Sequence, residues 1–181
     1  MTTTHPALAD ALKTADLLFD RTQLSILIGK MGKNIAAILH GDVPIFLTVM
    51  NGGLIFGGEL ALAIPGDLEF DYVHATRYRG ATRGNDLLWV KQPRLQLRGR
   101  TVLLADDILD EGHTLKAIRD FCIDEGATRV LIAVLCSKRH NRATPDLRAD
   151  FVGVEVPDRY VFGFGMDYYE QGRNLPGIYA I

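Results

Sequence analysis

Apolar residues follow two different periods along this chain, and the alternation between them predicts its architecture. Leu8, Leu12, Ala15, Leu18 and Phe19 fall at helical spacing and predict a first helix over residues 6–19. Leu24, Ile28, Met31, Ile35 and Ile38 predict a second helix over 22–39, ended by His-Gly-Asp at 40–42. The run VPIFLTVM at 43–50 is continuously apolar and β-branched, as a buried strand is. Asn-Gly-Gly breaks it before a further helix over 54–64. Residues 68–78 alternate like a strand, 80–86 form a polar, Gly-bearing loop, and 87–91 form a short strand. TVLLADDI at 101–108 and RVLIAVLCSK at 129–138 are two more buried strands. Between them a helix over 114–125 turns Leu115, Ile118, Cys122 and Ile123 inward, with Gly126 as its cap. Later strands are expected over 150–156 and 160–168. Strands alternating with helices predict an α/β fold with a mainly parallel sheet. Ligands bind such sheets beyond the carboxyl ends of the strands. Asn51 to Gly53, Asp106 to Thr114 and Lys138 all fall there.

Composition narrows the class without naming a function. A chain of 181 residues favours one domain and buries roughly 70% of its unfolded surface, so no disulfide or structural metal is needed. A net charge of −2 argues against broad nucleic-acid binding. Cys122 and Cys136 sit in apolar surroundings without metal-ligand spacing, as buried free thiols in a reducing cytoplasm would. No apolar run approaches the length of a membrane span, and the first residues lack a basic segment followed by an apolar one. A cytoplasmic protein without membrane or nucleic-acid partners is therefore expected.

The densest chemistry lies in LLADDILDEGHTL, residues 103–115. It crowds Asp106, Asp107, Asp110 and Glu111 between a buried strand and a helix. Their mutual repulsion costs stability unless a ligand uses them. Gly112 lets the backbone approach a ligand or take a positive φ. The N–H groups of residues 111–114 and the Thr114 hydroxyl suit a phosphate at a helix N-terminus. Carboxylates beside a phosphate suit sugar hydroxyls or a Mg²⁺-bound ligand. Helix capping by Asp110 and Glu111 is the plain alternative, but it leaves Asp106 and Asp107 unexplained.

VLLADDILDEGHT resembles the ribose-phosphate-binding signature of type I phosphoribosyltransferases: apolar strand, paired acids, two apolar residues, Asp, any residue, Gly, any residue, Thr. VMNGGLIFGGEL, LCSKRHNR and the segment from DFVGVEVPDRYVFGFGMDYY onward are similar to the hypoxanthine-guanine branch of that family. The likeness runs from about residue 43 to the C-terminus. It implies a type I phosphoribosyltransferase fold over 1–181: a single domain with a core at about 40–150 and a small hood from about 1–20 and 151–181. It implies purine salvage, in which 5-phosphoribosyl 1-pyrophosphate and a 6-oxopurine give IMP or GMP and pyrophosphate, with Mg²⁺ as cofactor.

The roles that follow are also implied by the resemblance. Asp110 is the general base at purine N7. A raised pKa or a strongly polarised base would suit it, and neighbouring carboxylates push its pKa upward. Asp106 and Asp107 grip the ribose hydroxyls and support the Mg²⁺ site. Glu111, Gly112, His113 and Thr114 form the 5′-phosphate cradle, with His113 offering its backbone N–H. Asn51 and Gly52 contact pyrophosphate in a loop whose peptide can be cis without proline. Asn51 departs from the Lys or Arg common there, which removes a charge. Lys138 donates to the C6 oxygen, Tyr160 stacks on the purine, and Val161 offers backbone groups to its edge. Asp167 holds a second Mg²⁺, Arg173 contacts pyrophosphate, and Arg142 supports that region. Residues 76–86 resemble a mobile loop, in which Tyr78 approaches the reacting centre. Family members are homodimers or homotetramers. A xanthine-preferring transferase and a nucleotide-binding regulator on the same fold remain the alternatives.

Overall fold

The computed structural model describes residues 7–77, 87–142 and 144–181. Its elements run α1 (Leu8–Ala11), β1 (Asp16–Phe19), α2 (Arg21–Leu39), β2 (Ile45–Met50), α3 (Gly53–Ala63), β3 (Glu69–Arg77) and β4 (Leu87–Lys91). They continue with β5 (Thr101–Leu109), α4 (His113–Asp124), β6 (Arg129–Lys138), β7 (Phe151–Val156), β8 (Val161–Phe162) and β9 (Ile178–Ala180). Tyr78 and the polar loop at 80–86 lie outside the described residues.

Six strands form a sheet in the order β4-β3-β2-β5-β6-β7, parallel except for the antiparallel pair β3–β4. The apolar runs are continuous because both faces are covered. Leu103 and Ala105 of β5 pack with Leu24, Ile28 and Phe56, which come from α2 and α3. Val102 and Leu104 point the other way, onto Leu115, Ile118 and Cys122 of α4. Helix α2 starts at a reciprocal cap: Asp20 accepts from the Gln23 N–H at 2.8 Å, and the Gln23 side chain accepts from the Asp20 N–H at 2.9 Å. His40, at φ 50°, ends it. Ile38 and Ile123, placed inward by periodicity, are exposed. Cys122 and Cys136 are free and buried. Burial pushes the Cys122 thiol up to about 12 and raises that of Cys136 further.

The chain's two flanks meet in a second, antiparallel sheet ordered β1-β9-β8. Here the structure corrects the sequence reading at several points. The helix expected over 6–19 is helical only at Leu8–Ala11, and Asp16–Phe19 is a strand. Asp16 pairs with Ala180, a partner that local periodicity cannot reveal. The strand expected over 160–168 stops after Phe162. Gly163, Phe164 and Gly165 take φ of 93°, 50° and 109°, which turns the chain back. Phe151–Val156, assigned above to the hood, is the edge strand of the large sheet.

Candidate active site

The carboxyl ends of β2, β5 and β6 converge, and the turn after β8 closes over them. At the tip of β2 the Met50–Asn51 peptide is cis. Asn51 is exposed, and Gly52 lies against the Asp107 carboxylate. A Cβ on Gly52 would stand 2.1 Å from Asp107 Oδ2, so no other residue fits without moving that carboxylate. Gly165 seats the C-terminal segment on the same loop: its own Cβ would meet the Gly52 carbonyl at 2.2 Å. Arg173 Nη1 donates to the Gly165 carbonyl at 2.9 Å, and Arg173 Nη2 pairs with Asp167 at 2.8 Å.

Asp106 and Asp107 are buried, with 8% and 7% of their surface exposed. Burial raises the Asp106 pKa well above the carboxylate range, and the Asp107 charge beside it adds to the rise. Burial also raises Asp107, against the opposing effects of a hydrogen bond from Asp106 and the Arg173 guanidinium. The pair is therefore a coupled unit that holds a proton more tightly than two solvated aspartates would. Among the described residues, no three His, Cys, Asp or Glu side chains are grouped to hold a metal unaided. A cation here needs further oxygens from a ligand.

Beyond β5 the chain passes Asp110 and Glu111 and enters α4 at Gly112, whose φ is 85°. Gly112 is the N-cap and no side chain caps the helix, so Asp110 and Glu111 do not serve that purpose. Thr144 Oγ1 donates to the Glu111 carbonyl at 2.6 Å and lies 3.2 Å from His113 Nδ1, bracing this loop from outside. His113 Nε2 lies 3.4 Å from Glu111. A cavity of about 210 Å³ is lined by Asp110, Glu111, Gly112, His113 and Thr114 together with Ile108.

A second cavity, about 220 Å³, shares Ile108 and Asp110 and adds Lys138, Tyr160, Val161 and Asp167 to its walls. Tyr160 is 42% exposed and its ring stacks on Tyr169, with centroids 5.9 Å apart and 20° between planes. Tyr160 and Ile181 exchange backbone bonds of 3.3 and 3.0 Å, so the following pair, Val161 and Ala180, makes none. The Val161 N–H and C=O therefore point to the open edge of β8. A hollow of about 550 Å³ also lies over Thr48, Met50, Phe70 and Tyr72, where Asp71 is the one carboxylate among the described lining residues and stands with Lys91 and Arg94.

Asp110 differs from its sequence expectation. Burial pushes its pKa up, but hydrogen bonds from Lys138 and His140 outweigh that and hold it below the usual range. Lys138 Nζ stands 2.7 Å from Asp110 Oδ2, and His140 Nε2 stands 2.7 Å from Oδ1. Sequence reasoning missed His140, Thr144 and Gly165. A histidine two residues beyond Lys138, at the end of a buried strand, was the available signal for the first. Arg142 pairs in two places with Asp158, at 2.7 and 2.8 Å, and approaches Glu111 at 4.0 Å.

An acidic strand tip running into a helix N-terminus and facing a hood is an arrangement suited to a sugar phosphate. The phosphoribosyl transferase domain matches residues 18–171, and the chain belongs to that family. Within it, the chain is 35% identical over 150 residues to the hypoxanthine-guanine phosphoribosyltransferase of Streptococcus pneumoniae, covering 82% of this chain and 83% of the relative. It is 31% identical over 171 residues to the enzyme of the same name from Aquifex aeolicus, covering 93% and 96%. The solved hypoxanthine phosphoribosyltransferase of Staphylococcus aureus superimposes with a TM-score of 0.86 at 27% identity, covering 92% of this chain and 90% of that one.

Proposed function

We propose that the protein is a purine-salvage enzyme. It transfers the 5-phosphoribosyl group from 5-phosphoribosyl 1-pyrophosphate to N9 of hypoxanthine or guanine, giving IMP or GMP and pyrophosphate. The observation that carries this is the pair of cavities sharing Ile108 and Asp110: one is a helix N-terminus, the other an aromatic slot with a lysine. A ribose between them has its phosphate on Gly112, His113 and Thr114 and its C1′ toward the slot. The amide dipoles of α4 favour the phosphate charge.

Asp106 and Asp107 receive the ribose hydroxyls. Tyr160 stacks on the purine ring, and the outward N–H and C=O of Val161 meet its edge. Lys138 donates to the C6 oxygen. Adenine presents an amino donor at that position and is disfavoured. Asp110 accepts the N7 proton as N9 bonds to C1′ and the C1′–O pair departs with pyrophosphate. Asn51, Gly52 and Arg173 bind the leaving pyrophosphate. Asp106 and Asp107 would support one Mg²⁺ and Asp167 a second, each with oxygens from the substrate; carboxylates are the oxygen donors this ion takes. When bound, Mg²⁺ neutralises charge on the pyrophosphate. Its free, buried cysteines support a cytoplasmic location, where thiols stay reduced. The enzyme is also placed in a homodimer or homotetramer. Exposed Phe70, Tyr72, Leu88 and Val90 support self-association, and a monomer in sedimentation at micromolar protein would reject it.

The function is tested by incubating purified protein with the activated sugar, Mg²⁺ and, separately, hypoxanthine, guanine, xanthine, adenine and uracil. Nucleotide is expected from hypoxanthine and guanine. Turnover of adenine or uracil alone refutes the purine-slot assignment, and strong preference for xanthine replaces the stated substrates.

A further inference from the structure

Resting on the reading above, we infer that His140 is a positioning residue: it clamps one oxygen of Asp110 so that the other faces the purine while Lys138 changes partners. In the free protein both Asp110 oxygens are engaged, Oδ2 by Lys138 and Oδ1 by His140. A carboxylate with two donors is a poor proton acceptor. One donor must leave for Asp110 to act, and the two differ in how firmly they are held. The Lys138 ammonium ends a flexible stem and has a second acceptor available, the purine's C6 oxygen. The His140 side chain is 3% exposed and fixed at both nitrogens.

The ring's proton is set by its other contact. The Arg142 backbone N–H donates to His140 Nδ1 at 3.0 Å. Nδ1 is therefore bare, and Nε2 carries the hydrogen that points at Asp110 Oδ1. The bond from Arg142 thus fixes both the tautomer and the orientation of the ring. Arg142 is in turn held by its paired bonds to Asp158. Asp158, Arg142, His140 and Asp110 thus form one relay of orientation, from the Pro-Asp turn before β8 to the reacting carboxylate. The charged groups around Asp110 are Lys138, Glu111 and Arg142, with Asp158 behind them and Asp107 and Asp167 on the walls of the shared cavity.

The consequence for the chemical step is directional. As N9 forms its bond to C1′ and the C1′–O bond breaks toward pyrophosphate, the N7 proton passes to Asp110 Oδ2, the oxygen Lys138 vacates. His140 remains on Oδ1 and keeps the carboxylate plane facing N7. It touches neither substrate nor the reacting atoms.

The test uses the full chain with the activated sugar, Mg²⁺ and hypoxanthine, and compares His140→Phe, His140→Ala and His140→Gln. Phe fills the buried space without a donor, and Gln returns an N–H near the Nε2 position. His140→Phe and His140→Ala are expected to lower kcat roughly 10- to 100-fold while the KM for the sugar changes less than about twofold. Both should move the acid limb of the kcat/KM profile to higher pH, because Asp110 loses a donor that stabilises its charged form. His140→Gln should recover most of the rate and return the limb toward its original position. A His140→Phe enzyme with wild-type kcat and an unmoved limb overturns the inference. So does a fall in kcat matched by an equal rise in sugar KM, since that reports collapse of the whole site. A wild-type protein inactive on every 6-oxopurine overturns the parent reading instead.

Discussion

The two cavities that meet at Asp110 are built by opposite means. The one beside α4 is nearly a single stretch of chain, Ile108 through Leu115, shaped by one positive-φ glycine and a helix N-terminus. The one beside the hood draws on three separated segments: the end of β5, Lys138, and Tyr160 to Asp167. A phosphate is met by backbone, whose geometry is local. A flat base must be met by side chains from several directions, which only tertiary packing can bring together. The local half can be rebuilt by one residue, and the assembled half fails if any one of its segments shifts.

The sharpest way to break the contrast is to strain the local half alone. Gly112→Ala forces φ 85° on a residue with a Cβ, which would meet Leu147 at 2.6 Å. The Leu147 tip can move, so the expected cost is about 1–2 kcal/mol of stability with a roughly tenfold higher KM for the sugar. Purine affinity should hold, and an equal loss for both substrates in steady-state kinetics would erase the distinction. The converse change is Tyr160→Ala, which removes the stacking face. Purine KM should rise roughly 5- to 30-fold, the equivalent of about 1–2 kcal/mol of base stacking, while sugar KM stays put. A rise confined to the sugar would show that the hood-side cavity is not the base site.

The smallest effect concerns the carboxylates beneath both halves. Because burial raises Asp106, the folded protein keeps a proton that the unfolded chain releases near its ordinary value of about 3.9. Stability is then highest below that value and declines as pH rises through the raised folded pKa. Asp106→Asn removes the penalty. Above that window its melting point should exceed that of wild type, and near pH 4 the two should converge. Parallel melting curves at every pH would mean that the pair carries no such penalty.

The same contrast explains what could be foreseen from sequence. The large sheet was legible because its strands are buried on both faces, and Leu103, Leu104 and Ala105 therefore form an unbroken apolar run. The acidic loop was legible because Asp110, Gly112 and Thr114 lie close together in the chain and line one cavity. Asp16–Phe19 was misread as helix because its pairing with Ile178–Ala180 is a long-range contact. The turn at Gly163–Gly165 was misread as strand because the need for it lies elsewhere, in the Gly52 carbonyl it abuts. The engagement of Asp110 was missed because Lys138 and His140 lie 28 and 30 residues away along the chain.

The small sheet has one more implication, for the order in which the molecule is made. Its middle strand, β9, is the last to be synthesised, and its neighbour β1 is the first. All six strands of the large sheet precede β9 along the chain. During synthesis β1 must therefore wait for Ile178–Ala180 before it can pair, so the small sheet closes only after every strand of the large sheet has been made.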